Sequence, residues 1–285
     1  MYDRKYSANL IISCSGNQTS EIFNTPYGEA RSRNGAKLKY VQNDSNAIQK
    51  VWNKHSRIKN GTIILSEPTK QEVLNSINYL NEVLSEYPQN QTGIDLFFAG
   101  HGDTNGDLVL TDESISAKEI LDCMSEPLVS DIGDRGISVF LDCCHSGGFL
   151  INLVIEVENK EMNIRLYDAK ISSLYNERSY ELSFLESGVL TFTYCNYGNE
   201  YVKPGELSKA IEEQDQKTIA RCIQGLVATM ASPVSYLTCG KQHAIDVSKG
   251  RYFSIHGFGE FELPNDKKIT RELLVELFEK AKRKY

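Results

Sequence analysis

The sequence predicts an α/β fold in which a mainly parallel sheet carries helices on both faces. Short apolar runs typical of buried strands lie at residues 9–13, 62–65, 95–99 and 137–141. The segments between these runs have apolar residues at helical spacing, as at Val73, Ile77, Leu80 and Leu84. Alternating strands and helices favour a parallel sheet, whose ligands bind beyond the carboxyl ends of the strands.

The other elements are expected in the same alternating order. A helix should start near Asp44, because Asn43–Asp44–Ser45 supplies capping residues before an apolar helical pattern. Two more helices are predicted at 69–87 and 116–124, and a hairpin arm at 107–110. An irregular active-site loop region is predicted at 151–186, apart from a strand at 169–174. The last predictions are helices at 206–214, 218–230 and 269–282, and strands at 234–238 and 251–255.

Composition limits the classes of function. The chain has 285 residues, 40% of them hydrophobic, and a net charge of −7, which argues against a nucleic-acid partner. Its seven cysteines are odd in number and show no CxxC spacing, so neither a disulfide framework nor a zinc site is predicted. The first residues contain no apolar run long enough for a signal peptide or a membrane span. We therefore expect a cytoplasmic protein with no cofactor, metal or membrane partner.

Two predicted strands end at residues that can perform covalent chemistry. The strand at 137–141 runs into Asp142, Cys143 and Cys144, and Ser-Gly-Gly then breaks the regular geometry. Because side chains alternate along a strand, Asp142 and Cys144 should share one side, with Cys143 on the other side as a core residue. An acid and a thiol are therefore expected to lie together.

The strand at 95–99 ends in the same way, directly before Gly100-His101-Gly102. A free cysteine has a pKa of roughly 8.5, so it needs a neighbouring base to act as a thiolate near neutral pH. His101 and Cys144 are the candidate pair.

The motifs FFAGHG and DCCHSGG resemble those of the caspase-like cysteine peptidases, most closely the metacaspases and their bacterial relatives. In caspases the histidine lies about 50 residues before the cysteine, and here 43 residues separate His101 from Cys144. The metacaspase pattern Asp-x-Cys-His-Ser-Gly matches residues 142–147 at every defined position. The segment at 188–193 resembles the Gly-x-x-Thr-Tyr stretch that opens a helix in the second half of this family.

This resemblance implies a caspase-haemoglobinase-like three-layer fold with a mainly parallel six-stranded central sheet. It implies a single domain over residues 1–285, with a large-subunit-like part at about 1–150. A loop region at about 151–186 would separate that part from a small-subunit-like part at about 187–285.

The resemblance also implies a cysteine endopeptidase with a Cys/His dyad. Cys144 would be the nucleophile and His101 the base, in preference to the adjacent His145. The backbone amides of Gly102 and Cys144 would form the oxyanion hole.

Two carboxylates are the candidates for substrate specificity. Asp142 stands where caspases carry glutamine, and its charge would attract Arg or Lys; the other interpretation is a strand-end acid satisfied by backbone donors. Asp44 matches the acid of a metacaspase Cys-x-x-Asp element whose cysteine is Val41 here; the other interpretation is a helix N-cap. Ala99 replaces a serine common in metacaspases, which leaves the expected pocket one hydroxyl short.

Regulation is also predicted from the resemblance. No calcium requirement is expected, because residues 174–177 lack the paired acids found there in calcium-activated metacaspases. Self-cleavage is a hypothesis that rests on Lys160, Arg165, Lys170 and Arg178 between the two halves; the other interpretation is that these are solvated loop charges. A separate activator protein is expected, and a role in defence or cell death rests on analogy with bacterial relatives.

Two alternatives remain open at this stage. Arg31 and Arg33, in RSRNG, resemble an arginine element with which caspases bind acidic residues, so the same dyad would then prefer Asp in the substrate. The chain would otherwise be a catalytically silent regulatory or binding module of caspase-like fold.

Overall fold

The structure is a computed structural model. It describes residues 5–16, 22–25, 28–32, 37–53, 58, 61–125, 135–159, 164–183, 185–195, 233–265 and 267–283, with single residues at 209, 213, 215 and 218. For residues 22–25 and 28–32 the backbone and its pairing are described.

The described strands and helices alternate over the first two thirds of the chain. The strands are β1 (Tyr6–Ser13), β2 (Ile22–Thr25), β3 (Gly28–Ser32), β4 (Thr62–Ser66), β5 (Thr92–Ala99), β6 (His101–Gly102), β7 (Leu108–Val109), β8 (Ser114–Ile115), β9 (Arg135–Asp142), β10 (Ile164–Ile171), β11 (Tyr180–Leu182), β12 (Ser187–Gly188), β13 (Ile245–Ser248), β14 (Tyr252–Ile255) and β15 (Glu260–Glu262). The helices are α1 (Val41–Trp52), α2 (Lys70–Ser85), α3 (Ala117–Ser125), α4 (Ser146–Asn159), α5 (Val189–Cys195), α6 (Pro233–Leu237) and α7 (Arg271–Lys282).

The central sheet has eight strands in the order β15-β14-β13-β10-β9-β5-β1-β4. The five strands from β10 to β4 are parallel, and β13, β14 and β15 add to the β10 edge in antiparallel pairs. The predicted α/β class with a mainly parallel sheet is confirmed. The sheet is two strands longer than the six expected, because β13 to β15 form a short meander that extends one edge.

Alternate residues of the central strands enter two separate cores. Leu96 and Phe98 of β5 pack in a core that contains residues of α2, α3, α4 and α7, whereas Phe97 packs in a second core with residues of α1, α5 and α6. This alternation is the period of two that strand geometry imposes. It confirms helices on both faces and therefore a three-layer arrangement.

Most of the predicted elements are present. Helix α2 begins one residue after Thr69, whose side chain forms a reciprocal capping box with Glu72. The predicted hairpin arm at 107–110 supplies β7, which lies between β6 and β8 in a small three-stranded sheet. The predicted helices at 206–214 and 218–230 fall on residues that, apart from the single positions 209, 213 and 218, lie outside the described ranges.

Two predicted elements were wrong. The segment from 151 onward is largely regular, because α4 continues to Asn159 and β10 follows at Ile164–Ile171, which includes the first three residues of the predicted strand at 169–174. The predicted strand at 234–238 is helix α6, which starts at Pro233, a residue favoured in the first helical turn. A short apolar run does not distinguish a strand from a buried helix turn by its pattern, and Val234 and Leu237 pack from one side of α6 into the second core.

A second small sheet lies next to the central one in the order β12-β11-β3-β2. All of its pairs are antiparallel. Strand β11 therefore lies between β12 and β3. In the described ranges, no helix combines the length and the apolar character needed to cross a membrane.

Candidate active site

The register between β5 and β9 places the histidine and the cysteine at one end of the sheet. Ala99, the last residue of β5, lies opposite Asp142, the last residue of β9. His101 and Cys144 each follow two residues later, so both leave parallel strands at the same level. The backbone of Gly100 continues the contact by donating to the carbonyl of Asp142 at 3.4 Å.

Gly102 lies directly against the backbone of Cys144. A methyl group added at Gly102 would fall 2.0 Å from the carbonyl oxygen of Cys144 and 3.3 Å from Sγ of Cys143. Only glycine allows so close an approach of two backbones. The two predicted motifs are therefore in contact.

A sharp turn joins β9 to α4 at the cysteine. His145 has a φ of +53°, a left-handed conformation that is uncommon for a residue with a side chain, and α4 starts at the next residue. Nδ1 of His145 lies 3.3 Å from the carbonyl oxygen of Tyr175. The His145 ring is thus held by a different segment, which favours His101 as the base.

Serine hydroxyls fix the backbone of Cys143. The N–H of Cys143 donates to Oγ of Ser172 at 3.1 Å, and the hydroxyl of Ser173 donates to the Cys143 carbonyl at 3.1 Å. The Cys143 side chain is fully buried in the first core, as strand alternation predicted. These bonds hold the residue before the candidate nucleophile to the end of β10.

Ser179 covers the thiol of Cys144. The backbone N–H of Ser179 donates to Sγ of Cys144 at 3.2 Å, and Sγ lies 3.7 Å from the Ser179 carbonyl oxygen. Cys144 has an exposed fraction of 0%. In this conformation the thiol has no access to solvent, so a substrate can reach it only after a rearrangement.

Asp142 is fully buried and accepts hydrogen bonds from three donors. The Ser179 hydroxyl donates to Oδ1 at 2.9 Å, and the Thr191 amide and hydroxyl donate to Oδ2 at 3.0 and 2.8 Å. The acid and the thiol are therefore joined through one residue, Ser179. One of the three donors is a backbone amide and two are hydroxyls, so the bonds match only in part the alternative interpretation of Asp142 as a strand-end acid satisfied by backbone donors.

Asp44 is also buried, and its interpretation as a helix N-cap is wrong. Helix α1 starts at Val41 after Tyr40, so Asp44 lies within the helix. Its Oδ1 accepts from the Ser187 hydroxyl at 2.5 Å and from the Gly188 amide at 2.9 Å. The carboxylate thus ties α1 to the strand that precedes α5.

Both acids act on the pKa of Cys195, the last residue of α5. Burial, with added repulsion from Asp44 and Asp142, raises the pKa of the Cys195 thiol to about 12. Burial, with repulsion from Glu67 and Asp112, also raises the pKa of the Cys14 thiol to about 12. Neither thiol has the thiolate character that a nucleophile needs near neutral pH.

Two buried side chains that the sequence analysis missed hold β11 in place. Oε1 of Gln242 accepts from the Tyr180 amide at 3.1 Å, and its Nε2 donates to the Ser172 carbonyl at 2.9 Å. Glu181 accepts from the amides of Lys39 and Tyr40 at 3.0 to 3.2 Å. Neither residue belongs to a motif, so no local sequence pattern identifies them. Thr191, which donates to Asp142, lies within the segment at 188–193 that the sequence analysis singled out.

The other histidines that the structure describes have carboxylate partners. Nδ1 of His243 lies 2.9 Å from Oε1 of Glu177, and Nε2 of His256 lies 2.8 Å from Oδ2 of Asp246. Across the described part of the chain, no three His, Cys, Asp or Glu side chains are grouped as metal ligands. Arg31 lies in β3, and Arg33 lies outside the described residues.

The geometry defines a three-layer α/β protein with a cysteine and a histidine at adjacent strand ends. No family model matches the chain, and no curated protein matches it. Among solved structures, it is similar to caspase-1 from Spodoptera frugiperda at 13% identity and a TM-score of 0.46, over 87% of this chain and 89% of that one. It is also similar to Raptor from Chaetomium thermophilum at 12% identity and a TM-score of 0.42, over 69% of this chain and 18% of that one.

The close approach at Gly102 predicts a large loss of stability on substitution. Gly102→Ala should lower the free energy of unfolding by about 3 kcal/mol, because the added methyl group meets backbone that cannot move aside as a side-chain tip can. Urea denaturation followed by fluorescence measures this loss. Gly240→Ala is the matched control, since its methyl group meets nothing within 4 Å and only its positive φ costs about 1 kcal/mol. Equal losses in the two variants would contradict the proposed contact.

Proposed function

We propose that the chain is a caspase-like cysteine endopeptidase that cleaves protein substrates after Arg or Lys. Cys144 is the nucleophile and His101 the base. The backbone amides of Gly102 and Cys144 form the oxyanion hole, and Asp142 with Asp44 attracts the basic side chain of the substrate.

One observation carries this proposal, the β5–β9 register that pairs Ala99 with Asp142. It brings a histidine and a cysteine that are 43 residues apart in the sequence to the same end of the sheet, with Gly102 against Cys144. The carboxyl ends of parallel strands are where α/β folds place their reactive residues. The local sequences DCCHSGG and FFAGHG add the resemblance to caspase-like peptidases.

The chemistry requires the thiol to lose its proton and the leaving amine to gain one. His101 takes the proton from Cys144, and the thiolate attacks the carbonyl carbon of the scissile bond. The oxyanion of the tetrahedral intermediate accepts from the two backbone amides. His101 then donates its proton to the departing amine, which leaves a thioester that water hydrolyses with His101 again acting as base.

The position of Cys144 before α4 favours the thiolate. The helix spans 14 residues and starts two positions after the cysteine, so the positive end of its dipole faces the turn that holds the sulfur. A partial positive charge at this distance stabilises an anion and therefore supports deprotonation by His101.

The preference for a basic residue rests on charge. Asp142 and Asp44 are both buried, both carboxylates raise the pKa of the Cys195 thiol, and Asp142 is joined to Cys144 through Ser179. A substrate Arg or Lys would gain charge-assisted hydrogen bonds from them, whereas a substrate Asp would be repelled. The Ser179 and Thr191 donors must yield at least one acceptor position on Asp142 to the incoming cation.

The silent binding module remains the second candidate, because the Cys144 thiol is fully covered. A protein that never uncovers this sulfur would not turn over a substrate.

Peptide hydrolysis tests the activity. We expect fluorogenic peptides that end in Arg or Lys to be cleaved and a matched Asp peptide to be spared, because of the two carboxylates. Cys144→Ala and His101→Ala should each abolish cleavage, while Cys143→Ala should retain it at a reduced stability. Cleavage of the Asp peptide alone would overturn the specificity. If no peptide is cleaved and a peptide electrophile leaves Cys144 unmodified, the silent module is the better description.

Substitution of Asp142 tests the specificity separately. Asp142→Asn should lower kcat/KM for the Arg peptide roughly tenfold to a hundredfold, since a charge-assisted hydrogen bond contributes about 1.5–3 kcal/mol. The control is Thr191→Val, which removes one hydroxyl donor to Asp142 and keeps the charge. Alkylation of Cys144 by uncharged iodoacetamide, followed by peptide mass mapping, shows whether the reactivity of the thiol is the same in the variants as in the wild type. Equal losses of activity in both variants would assign Asp142 a structural role only.

Self-cleavage forms part of the proposal, and the fold reduces the number of Lys and Arg residues at which it can occur. Arg165 and Lys170 lie in β10, which is paired with β9 and with β13, so cleavage there requires the sheet to open. Arg178 lies in the loop before β11, and Lys160 lies outside the described residues. We expect intact mass spectrometry to show fragments that end at Lys160 or Arg178 in the wild type and none in Cys144→Ala. Identical masses would count against self-cleavage.

A further inference from the structure

Strand β11 starts at the candidate nucleophile. The amide and carbonyl of Ser179 are the groups that contact Sγ of Cys144, and β11 begins at the next residue, Tyr180. An extended peptide that adds to a sheet edge gains a row of backbone hydrogen bonds, and this is a common way for proteins to hold peptides. A substrate strand laid along β11 would therefore pass the thiol.

The chain's own strand β3 occupies that edge. Strand β12 pairs with one edge of β11, and β3 pairs with the other in antiparallel register, with Ser32 opposite Tyr180, Arg31 opposite Glu181 and Ala30 opposite Leu182. Both edges of β11 are thus taken by segments of the same chain. The Cys144 thiol is fully covered in the same arrangement.

We propose that β3 is an intramolecular competitor of the substrate, which occupies the docking edge of β11 and keeps the peptidase latent until it is displaced. This inference rests on the proposed function, because it names what blocks the same site. Strand β3 is joined to β11 by three residue pairs and is followed along the sheet only by β2, a four-residue strand at the edge of the sheet. The β2–β3 hairpin can therefore leave as a unit.

Strand β11 itself is fixed to the body of the protein. Gln242 is fully buried and accepts from the Tyr180 amide, and Glu181 is fully buried and accepts from two amides at the start of α1. Breaking these bonds would leave buried polar groups without partners, which costs about 1–3 kcal/mol for each group. The partner that moves is accordingly β3, and the docking edge stays in place.

The sequence of the competitor fits the proposed specificity. The residues that face β11 include Arg31, and Arg33 follows Ser32 in the sequence. Strand β3 and the residue after Ser32 thus contain two arginines, as a basic substrate would. Release of the hairpin by a separate protein would provide the external activator that the sequence analysis predicted.

Peptide binding to the inactive Cys144→Ala protein tests this proposal without relying on catalysis. The probe is a fluorescein-labelled hexapeptide amide with the chain's own sequence GEARSR, from residues 28–33. Arg31→Pro removes an amide donor from β3 and weakens its ladder, whereas Arg31→Ala, the matched control, keeps the backbone intact. We expect Arg31→Pro to bind the probe about tenfold more tightly than Arg31→Ala in fluorescence anisotropy. This factor corresponds to a docking edge that is free in about one molecule in ten when β3 is intact and in nearly every molecule when it is displaced. Equal affinities would overturn the proposal.

Hydrogen exchange on the chain with an unaltered hairpin provides a second test, which stands even if Arg31→Pro fails to fold. In Cys144→Ala without probe, the amides of both β3 and β11 should be protected. A saturating concentration of the probe should speed exchange in 28–32 and leave 180–182 protected. Probe binding without faster exchange in 28–32 would overturn the displacement.

These outcomes are distinguishable from a failure of the proposed function. If the docking results are as expected and Arg31→Pro with an intact Cys144 still cleaves no peptide, β3 covers a binding edge and the peptidase assignment fails. If peptides are cleaved and the docking results are negative, the peptidase stands and the competitor fails.

Discussion

The pairing of β5 with β9 is the constraint on which the site depends. Two parallel strands have a fixed register because a slip of one residue would turn every side chain to the opposite face, and here both faces are packed. With Ala99 opposite Asp142, the chain needs only two further residues on each strand to bring His101 and Gly102 to Cys144. The core therefore positions the two candidate residues, because the packing of Phe97 and Phe98 on opposite faces fixes the register of their strands.

Three buried carboxylates then organise the second half around this strand end. Asp142 accepts from α5, Asp44 accepts from the strand before α5, and Glu181 accepts from the start of α1. A buried carboxylate is costly without donors, so each acid requires the segment that supplies them. The same bonds that satisfy these charges hold β11 beside the thiol. The contacts that satisfy the buried carboxylates are therefore the same contacts that position β11.

The sequence was sufficient for the features that local patterns determine. Apolar runs located β5 and β9, and strand alternation placed Cys143 in the core. Tertiary contacts determined the features that the sequence did not predict. Asp44 was compatible with a helix cap until the start of α1 at Val41 placed it within the helix, and α6 was taken for a strand because so short an apolar run shows no helical period. Gln242 acts through partners 62 to 70 residues away, which no local pattern can reveal.

The Cys144 thiol is covered by one of the same residues that donate to the buried carboxylates. Ser179 uses its amide on Cys144 and its hydroxyl on Asp142, so the groups proposed for nucleophilic attack and for substrate recognition are both satisfied by one residue when no substrate is bound. A substrate strand with a basic side chain offers replacement bonds for both groups at once. In the proposed opening, a substrate replaces the bonds that Ser179 makes to Cys144 and Asp142, and β3 leaves β11.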